Sequence, residues 1–539
     1  TEDEKKKGAQ IWLLDRQGGE AQKLTEIDGG VGDYAWSPDS KRFVFTKSDK
    51  DPADEPEKME GWKRKTAPPI VLDRYHFKQD RDGYLKRFYT HVYVFDIAAK
   101  KLEQITTGQF DDSSPAWSPD GTKIAFVSTR QGPDPDRHLN SDVYVVDAKP
   151  GAEPRQLTTY AGGDGGRPSW SPDGQWIAYF QGDETKYNAY EINKLTVIPS
   201  SGGAAKVLTE ALDRPVSGQI WWSPDGKTLT FAVSDDRVEY VGRTTAAGGA
   251  VERLTTGRGT VSNVSLGADG NLTLLAGSTT QTPEVHALEG GTLRKLTKVN
   301  DDLLAQLQLA TTEDFTSKSK DGTVVNGLIV KPASYTPGKK YPTLLIIHGG
   351  PNGQDDHSFT FDNEFFAANG YVVLNINYRG SSGRGSAYQK AIYADWGNKE
   401  VVDLLGAVDQ AVASGIADPD RLGIGGWSYG GILTNYSIAS DTRFKAAVSG
   451  AGSSLQSSMY GLDQYIVQWD IEVGQPWKAQ DLYIKLSYPF WRADRIRTPT
   501  LFMGGEKDFN VPIAGGEQMY QALRSLGIDT QLVIYPGQF

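Results

Sequence analysis

A four-residue motif that returns along the first half of the chain constrains the fold more than any other feature of the sequence. Trp-Ser-Pro-Asp begins at Trp36, Trp117, Trp170 and Trp222, and residues 266–270 resemble a degenerate fifth copy. A second marker, an apolar residue followed by threonine, recurs at a similar interval. Repeats of this length are typical of β-propellers, in which each repeat forms one four-stranded blade. The threonines of the second marker are Thr25, Thr106, Thr158, Thr209, Thr255 and Thr297.

The motif has a physical explanation within a blade. The Pro-Asp pair favours a tight turn between two antiparallel strands, and the tryptophan before it is placed to pack between neighbouring blades. Six repeat units are recognised in this way. An insertion at residues 52–87, rich in charged and aromatic residues, lengthens the first interval, and we expect it to form an extended hairpin. Two or more β-sandwiches are the alternative, although sandwiches do not repeat one motif at this interval.

The pattern changes near residue 310, where strands begin to alternate with helical stretches. An apolar run at 343–347 predicts a buried strand, and the amphipathic segment 399–414 predicts a helix. Such alternation is typical of a mainly parallel sheet with helical crossovers. At 539 residues the chain is also too long for one hydrophobic core. We therefore predict a β-propeller at residues 1–309 and a catalytic domain of the α/β-hydrolase fold at residues 310–539.

A candidate nucleophile follows a predicted strand of the second domain. Residues 426–430 read Gly-Trp-Ser-Tyr-Gly and match the G-x-S-x-G elbow, with a strand before them and a helix after them. Such a sharp turn leaves the Ser428 hydroxyl exposed at the strand end, and the flanking glycines allow the close packing that it requires. The sequence therefore predicts that Ser428 is a catalytic nucleophile, with an ordinary glycine-rich strand end as the alternative.

Backbone donors for a developing oxyanion are predicted on both sides of this serine. His348, Gly349 and Gly350 directly follow a buried strand, where hydrolases of this fold place a glycine-rich turn. We expect the N–H groups of Gly350 and Tyr429 to face the oxyanion. His348 precedes Ser428 and lies in the turn itself, so we expect it to have a structural role or to lie beside the oxyanion, and not to be the general base.

The catalytic acid is expected at the end of a later strand. Residues 500–505 predict that strand, and Asp508 follows its glycine turn. A carboxylate at this place would hold the imidazole of the base in the correct tautomer and stabilise its charged form. Glu506 is the alternative acid, and Asp441 and Asp463 are expected on the surface or in a lid.

The base is expected last, because the triad order on this fold is Ser, Asp, His. All six histidines precede Ser428, and the final residues form a predicted strand and a Pro-Gly turn that ends at Phe539. We therefore expect the catalytic histidine just after Phe539, in a chain that continues there, and a natural start before Thr1. The histidines present are His76, His91, His138, His286, His348 and His357.

Taken together, these motifs resemble the prolyl oligopeptidase family, and most of all its bacterial acylaminoacyl-peptidase and dipeptidyl-peptidase branches. The resemblance extends over essentially the whole chain. It implies a seven-bladed propeller that screens the active site and admits short peptides but not folded proteins. It also implies that a histidine follows the Tyr-Pro-Gly turn at residues 535–537. The motifs that carry the resemblance are the Trp-Ser-Pro-Asp blades and residues 348–351, 377–381, 426–431 and 505–512.

The resemblance further implies a pocket for the P1 side chain, the substrate side chain before the scissile bond. Family members line this pocket with apolar groups near the nucleophile and the acid, which indicates Tyr429 and Val511. Trp469 and Trp477 are further candidates that could equally belong to the core. His348 is a candidate at the edge of the same pocket.

The motifs give weaker evidence about the branch of the family than about the family itself. Acylaminoacyl peptidases often carry an arginine two residues after the acid, whereas this chain has Asn510. Dipeptidyl peptidases bind the free amine of the substrate through propeller glutamates. Glu184, Glu191 and Glu239 are available for that role, but each is also compatible with an ordinary surface position.

The composition of the chain limits which binding partners and which cofactors are expected. The formal net charge of -11 comes without a basic stripe, so neither nucleic acid nor an anionic membrane is an expected partner. No apolar run approaches the ~20 residues of a membrane span. Without cysteine there are no disulfides, and no metal-ligand spacing is found, so we expect no metal and no cofactor. Short peptides are the expected substrates. Whether the protein forms a homo-oligomer, and whether its compartment is a bacterial cytoplasm or periplasm, is left open.

Two other functions are compatible with the same motifs. An esterase acting on small acyl esters would use the same elbow and acid. A catalytically inactive propeller protein that binds peptides would be indicated if no histidine followed Phe539. A serine peptidase that cleaves short peptides through an acyl-enzyme accounts for all the motifs together and is our leading hypothesis.

Overall fold

An all-β domain precedes an α/β domain along the chain. The last strand of the first domain ends at Lys295, and the first strand of the large sheet begins at Thr311. Among the described helices, none is long and apolar enough to cross a membrane. The computed structural model describes residues 8–50, 66, 69–132, 134–267 and 269–539.

The first domain is a propeller of antiparallel sheets in which neighbouring strands follow one another along the chain. In the described residues, and apart from the insertion, it has five four-stranded sheets and one two-stranded sheet. Each of the six repeat units seen in the sequence corresponds to one of these sheets, while the seventh blade stays a prediction. The two-stranded sheet contains β1 (Trp12–Leu13) and β2 (Gln22–Lys23).

The five four-stranded blades follow in order along the chain. The first contains β3 (Tyr34–Trp36), β4 (Arg42–Lys50), β7 (Phe88–Asp96) and β8 (Lys101–Gln104), with β5 (Lys78–Gln79) and β6 (Gly83–Tyr84) inserted between its second and third strands. The second and third contain β9 (Asp112–Trp117), β10 (Lys123–Ser128), β11 (Asp142–Asp147), β12 (Arg155–Gln156), β13 (Gly162–Trp170), β14 (Trp176–Glu184), β15 (Lys194–Pro199) and β16 (Lys206–Val207). The fourth and fifth contain β17 (Val216–Trp222), β18 (Thr228–Asp235), β19 (Val238–Thr245), β20 (Glu252–Arg253), β21 (Thr260–Leu266), β22 (Leu272–Ser278), β23 (Gln281–Glu289) and β24 (Thr292–Lys295).

Both sequence markers of the repeat have a hydrogen-bonding role. In each Trp-Ser-Pro-Asp copy the serine hydroxyl donates to the aspartate and accepts the N–H group that opens the next strand. Ser118 makes these bonds with Asp120 and Lys123 at 2.6 and 2.9 Å, and the other three copies repeat them. Each marker threonine accepts a backbone N–H group through Oγ1, as Thr158 does from Val143 at 2.9 Å. The blades are therefore defined by short-range bonds that recur once per repeat.

Motif tryptophans connect neighbouring blades. The indole N–H of Trp170 donates to the carbonyl of Ala116 at 3.2 Å, and that of Trp222 donates to the carbonyl of Ser169 at 3.0 Å. In both cases the acceptor belongs to the preceding blade. The tryptophan thus combines apolar burial with a polar bond, as buried indoles generally do.

The predicted extended hairpin at residues 52–87 falls partly outside the described residues. In the part that the structure describes, β5 and β6 pair as a short antiparallel hairpin. This hairpin lies against the second domain, where the backbone N–H of Asp80 donates to the side chain of Gln464 at 2.8 Å. The insertion therefore joins the two domains.

The second domain, which the structure describes without gaps, is built on one sheet of eight strands. These are β25 (Thr311–Lys318), β26 (Val324–Lys331), β27 (Tyr341–Ile347), β28 (Val372–Asn377), β29 (Ala417–Trp427), β30 (Ala446–Gly450), β31 (Thr500–Gly505) and β32 (Thr530–Tyr535). Their order is β25-β26-β28-β27-β29-β30-β31-β32, and β26 is antiparallel to both of its neighbours. All other pairs are parallel, so the carboxyl ends of β27, β29 and β31 meet at one edge.

Helices cover this sheet and provide its crossovers. Leu404 of one helix and Leu433 of another are fully buried against Leu345 and Phe502 of the strands. A continuous apolar core of this kind makes the strand edge a rigid base for side chains. The helices are α1 (Asp301–Leu304), α2 (Phe361–Ala368), α3 (Ser386–Gln389), α4 (Lys399–Ala413), α5 (Tyr429–Ser440), α6 (Gln456–Met459), α7 (Ile466–Glu472), α8 (Gln480–Leu486), α9 (Tyr488–Trp491) and α10 (Ala514–Ser525).

Candidate active site

Ser428 lies at the turn between β29 and α5 in a strained backbone conformation. Its φ of 59° and ψ of -126° are rare for a residue with a side chain. The surrounding packing holds this conformation, because the N–H of Ser428 donates to the carbonyl of Gly450 at 3.0 Å. A Cβ atom on Gly426 would lie 2.5 Å from the carbonyl oxygen of Ile347, and one on Gly430 would overlap that same oxygen. The glycines are therefore required by the turn that presents the Ser428 hydroxyl.

The turn after β27 lies across from this serine. Gly350 has a φ of 126°, and a Cβ atom there would lie 2.7 Å from the backbone nitrogen of Asn352, so the position requires glycine. Tyr429 is the first residue of α5, where the backbone N–H has no carbonyl in a preceding turn to bond. Gly350, Ser428 and Tyr429 line the same cavity. The structure thus brings together the two residues predicted as backbone donors and the predicted nucleophile.

His348 is bound inside its own turn. Its Nδ1 donates to the carbonyl of Gly349 at 2.7 Å, and its Nε2 is 2.9 Å from the hydroxyl of Ser381. The ring stacks on Tyr378 with centroids 4.5 Å apart, and Tyr378 donates to the carbonyl of His348 at 2.9 Å. Burial lowers the pKa of this imidazole to about 4. His348 is not among the residues that line the cavity beside Ser428, because both ring nitrogens are turned toward partners behind the glycine turn.

Asp508 follows the neighbouring strand β31 in a tight loop. Its Oδ1 accepts the N–H groups of Asn510 and Val511 at 2.8 and 2.7 Å, and the side chain is buried. Burial raises the pKa of Asp508, and the charge of Asp80 adds a smaller upward contribution. Asn510 and Val511, whose N–H groups bond this carboxylate, line the cavity together with Ser428, whereas Asp508 itself is not among the lining residues.

Glu506, the alternative acid, points elsewhere. Its Oε2 accepts the N–H of Gly537 at 2.8 Å, and the residue is exposed. This bond ties the loop after β31 to the turn after β32. The geometry therefore favours Asp508 over Glu506 as the carboxylate beside the cavity.

The cavity beside Ser428 has a volume of about 300 Å³ and is lined by aromatic, aliphatic and polar side chains. Two of the predicted pocket residues, Val511 and Trp469, line it. Trp477 does not: it is 69% exposed and packs edge-on against the ring of Tyr460, so its assignment to the pocket is wrong. His348 is also outside the lining, as described above. The apolar and aromatic lining residues are Tyr190, Trp396, Tyr429, Ile432, Met459, Tyr465, Trp469 and Val511.

Part of this cavity comes from residues that the sequence did not indicate. Asn188, Ala189 and Tyr190 of the propeller reach into it from the connection between β14 and β15. The hydroxyl of Tyr190 donates to Glu472 at 2.6 Å, and the indole N–H of Trp396 lies within 2.8 Å of the same carboxylate. No motif marks these positions, because their contact joins residues more than 200 positions apart along the chain.

Two buried carboxyl groups lie close to the cavity. Asp463, expected on the surface or in a lid, is instead buried in the cavity wall, where it accepts the indole N–H of Trp469 at 2.9 Å. Glu400 lies beneath the nucleophile turn and accepts the hydroxyl of Tyr429 at 2.7 Å. Burial raises the pKa of Asp463 and of Glu400 to about 7. Both groups support aromatic residues of the lining.

The three propeller glutamates considered for an amine site lie elsewhere. Glu184 is exposed and pairs with Lys186 at 3.0 Å, and Glu239 lies near Ser234 at 3.3 Å. Burial beside Asp183 raises the pKa of Glu191 to about 7. None of these glutamates lines the cavity beside Ser428. Within the part of the chain that the structure describes, no group of His, Asp and Glu side chains is arranged to hold a metal ion.

The chain matches known proteins in both of its domains. The model of the prolyl oligopeptidase family matches residues 357–538, and that of the TolB β-propeller domain matches residues 84–214. An uncharacterised peptidase, YuxL of Bacillus subtilis, is 29% identical over 98% of this chain and 82% of its own length. Dipeptidyl-peptidase 5 of Porphyromonas endodontalis is 26% identical over 97% of this chain and 77% of its own length.

A solved structure supports the arrangement of the two domains. The acylaminoacyl peptidase of Pyrococcus horikoshii superimposes with a TM-score of 0.83 over 98% of this chain and 80% of its own, at 24% identity. At this identity the likeness is one of fold, and the fold is a propeller followed by an α/β-hydrolase domain. The two domain matches show a prolyl oligopeptidase family domain that follows a propeller, and the relatives along nearly the whole chain support a serine peptidase of this type.

Proposed function

We propose that the protein hydrolyses short peptides through an acyl-enzyme formed on Ser428. The observation that carries this proposal is the strained conformation of Ser428, which lies in the wall of a cavity that is lined in part by aromatic residues. Strain of this kind persists only where the surrounding structure maintains it, and it is concentrated at functional sites. In this proposal the carbonyl carbon of the scissile peptide bond lies next to Ser428 Oγ, and its oxygen lies between the N–H groups of Tyr429 and Gly350.

The chemical steps follow from this placement. An imidazole takes the proton of Ser428 as Oγ attacks the carbonyl, and the two N–H groups stabilise the resulting oxyanion. The same imidazole returns the proton to the leaving amine, and water then hydrolyses the acyl-enzyme. Asp508 Oδ1 is occupied by two backbone N–H groups, and no donor among the described residues reaches its Oδ2. We assign Oδ2 to the N–H of that imidazole.

The lining of the cavity supports an apolar P1 side chain. Aromatic rings from both domains form part of the wall next to Ser428, and they offer apolar surface to a substrate side chain. A charged P1 side chain would have to be desolvated there, which is unfavourable. We therefore expect phenylalanine, leucine or methionine at P1 to be preferred over lysine or glutamate.

The propeller supports a restriction on substrate size. Three consecutive residues of its third four-stranded blade line the cavity, so the propeller covers the nucleophile. A folded protein could not bring a peptide bond to Ser428 without displacing these contacts. Short, unstructured peptides are therefore the proposed substrate class.

The proposal is tested by labelling and by turnover with protein expressed from its complete gene. A fluorophosphonate probe should label Ser428, and Ser428→Ala should abolish that labelling. Ser453→Ala is the matched control, because Ser453 also lines the cavity and should leave labelling unchanged. Absence of labelling at Ser428 in the wild-type protein would reject the proposed nucleophile.

A peptide library then tests the substrate class. Each peptide is supplied with a free amine and with an acetylated amine, and the P1 residue is varied. We expect cleavage of short peptides with apolar P1 residues, and the ratio between the two versions separates a dipeptidyl-peptidase activity from an acylaminoacyl-peptidase activity. Faster turnover of small acyl esters than of every peptide with a matched leaving group would instead indicate an esterase.

A further inference from the structure

The β5–β6 hairpin of the propeller bonds directly to the loop that carries Asp508. The carboxylate of Asp80, at the turn of this hairpin, accepts the backbone N–H of Phe509 at 3.2 Å. The ring of Tyr84 lies 5.5 Å from that of Phe509, centroid to centroid. The residue next to the proposed acid is thus held by a residue 429 positions earlier in the chain.

A lysine of the same hairpin is buried at this contact. Lys78 is 7% exposed, and its ammonium donates to the carbonyls of Gly461 and Leu462 at 3.3 and 3.1 Å. The ammonium also lies 5.1 Å from the ring centroid of Phe509 and 5.6 Å from that of Tyr84. A buried ammonium is unfavourable unless hydrogen bonds and ring faces replace its water. These contacts provide that replacement and fasten the hairpin to residues 461–462.

The segment just after the carbonyls of Gly461 and Leu462 connects the hairpin a second time to the loop that carries Asp508, here called the acid loop. Gln464 accepts the N–H of Asp80 through its side chain at 2.8 Å. The backbone N–H of Gln464 donates to the carbonyl of Phe509 at 2.9 Å, and its side-chain amide donates to Asn510 at 3.2 Å. Asp463 and Tyr465, on either side of Gln464, line the cavity. Residues 461–465 are therefore held between the propeller hairpin and the acid loop, and they form one wall of the cavity.

We propose that Asp80 and Lys78 are positioning residues of the active site, supplied by the propeller: Asp80 fixes the loop of Asp508, and Lys78 fixes the cavity wall at residues 461–465. The inference rests on the proposed role of Asp508 as the catalytic acid. The two residues act on different parts of the site. Asp80 bonds the residue next to the acid, so it sets the placement of the acid, whereas Lys78 bonds the wall that faces the substrate.

Two substitutions at residue 80 separate the bond from the charge. Asp80→Asn removes the charge but keeps an acceptor for the N–H of Phe509, whereas Asp80→Ala removes both. Because small displacements of catalytic groups have large effects on rate, we expect Asp80→Ala to lower kcat about tenfold with KM changed less than about threefold. Asp80→Asn should stay within about twofold of wild type. Asp82→Asn is the control, since Asp82 is an exposed carboxylate of the same hairpin turn.

One substitution at residue 78 tests the wall. Lys78→Met keeps the aliphatic stem that packs on Phe509 and Tyr84 but removes the donors to the two carbonyls. We expect KM to rise about tenfold for peptides with an aromatic P1 residue, with kcat within about threefold of wild type, because the wall and not the acid is displaced. A fall in kcat at unchanged KM for this variant would overturn the division of roles.

Hydrogen exchange provides a readout that does not depend on turnover. The amide of Phe509 should exchange at least about tenfold faster in Asp80→Ala than in wild type, while Asp80→Asn and Asp82→Asn leave it protected. Lack of peptide turnover in the wild-type protein would reject the proposed function. Protection of the Phe509 amide would still show that Asp80 bonds it. Unchanged exchange in Asp80→Ala, or equal loss of kcat in Asp80→Asn and Asp80→Ala, would overturn the inference.

Discussion

The two sides of the cavity are held in different ways. On the nucleophile side, Ser428 bonds Gly450 of its own sheet, and Gly430 packs directly on Ile347. On the acid side, the loop after β31 is bonded from outside the sheet, by Asp80 of the propeller and by Gln464. The position of the nucleophile is therefore fixed by packing within its own domain. The position of the proposed acid depends on how the two domains dock. Substitutions of the glycines that pack around Ser428 should mainly lower stability, and substitutions in and around the loop of Asp508 should mainly lower activity.

The largest effect is expected from Asp508, the proposed acid. Asp508→Asn should lower kcat about 10⁴-fold, because an amide neither holds the required tautomer of the base nor stabilises its charge. The free energy of unfolding should change by less than about 1 kcal/mol, since Asn can still accept the two backbone N–H groups. Steady-state kinetics and urea unfolding provide the two measurements.

Glu506→Gln is the matched control for this acid. It keeps the bond to Gly537 and should leave kcat within about threefold of wild type. A larger loss of activity in Glu506→Gln than in Asp508→Asn would indicate that Glu506 is the acid. The description of the acid side of the cavity would then be wrong.

On the nucleophile side, Gly430→Ala should act through stability. The added methyl group would overlap the carbonyl oxygen of Ile347, and overpacking of this kind costs about 3 kcal/mol. Urea unfolding measures this loss. Gly165→Ala is the control, because a Cβ atom there meets nothing within 4 Å, and it should change stability by less than about 1 kcal/mol. Equal unfolding midpoints for the two variants would contradict the rigid-core description of the elbow.

The buried carboxyl beneath the nucleophile side predicts a pH dependence of stability. Burial raises the pKa of Glu400 to about 7, above its value of about 4.3 in an unfolded chain. The folded state therefore binds more protons between these values, and the unfolding free energy should fall as pH rises from 5 to 8. Glu400→Gln should reduce that fall by about 2 kcal/mol.

Unfolding of wild type and Glu400→Gln at pH 5 and pH 8 measures this difference. Asp409→Asn, on the exposed face of the same helix, is the control and should retain the wild-type pH dependence. A pH dependence that is identical in wild type and Glu400→Gln would show that Glu400 does not contribute to it.

The smallest effect is expected at the edge of the acid side. The hydroxyl of Tyr465 donates to Asn510, so Tyr465→Phe removes one bond between the cavity wall and the acid loop. Loss of one such bond corresponds to about 1 kcal/mol, and we expect KM to rise about fivefold with kcat and stability nearly unchanged. Tyr34→Phe, which removes an exposed hydroxyl in the propeller, should leave KM unchanged. A fall in stability without a change in KM would place Tyr465 with the core instead.

Short-range chemistry explains which features could be predicted. The hairpin turns depend on Ser118 and Asp120 and their counterparts, which bond within a few residues of one another. The elbow likewise depends on residues within one short turn and on the strand and helix that flank it. Such features are visible in a sequence because the atoms that form them are close along the chain.

Predictions failed where the deciding contact was distant or depended on orientation. Trp477 is near the acid-side wall along the chain, but its ring turns outward onto Tyr460. Asp463 was expected on the surface or in a lid, and only packing against Trp469 places it in the cavity wall. Tyr190 enters the cavity from the other domain and carries no motif at all.

The amino-acid sequence alone indicated the propeller repeat, the α/β domain and the serine elbow, and it led to the proposal that Asp508 is the acid. Only the tertiary structure decided which side chains form the cavity and that Lys78 and Asp80 hold its acid side. The physical reason is the range of the interactions. Turns and strand ends are formed by neighbours along the chain, whereas the cavity forms where two domains meet, and a sequence pattern does not record which distant residues come into contact.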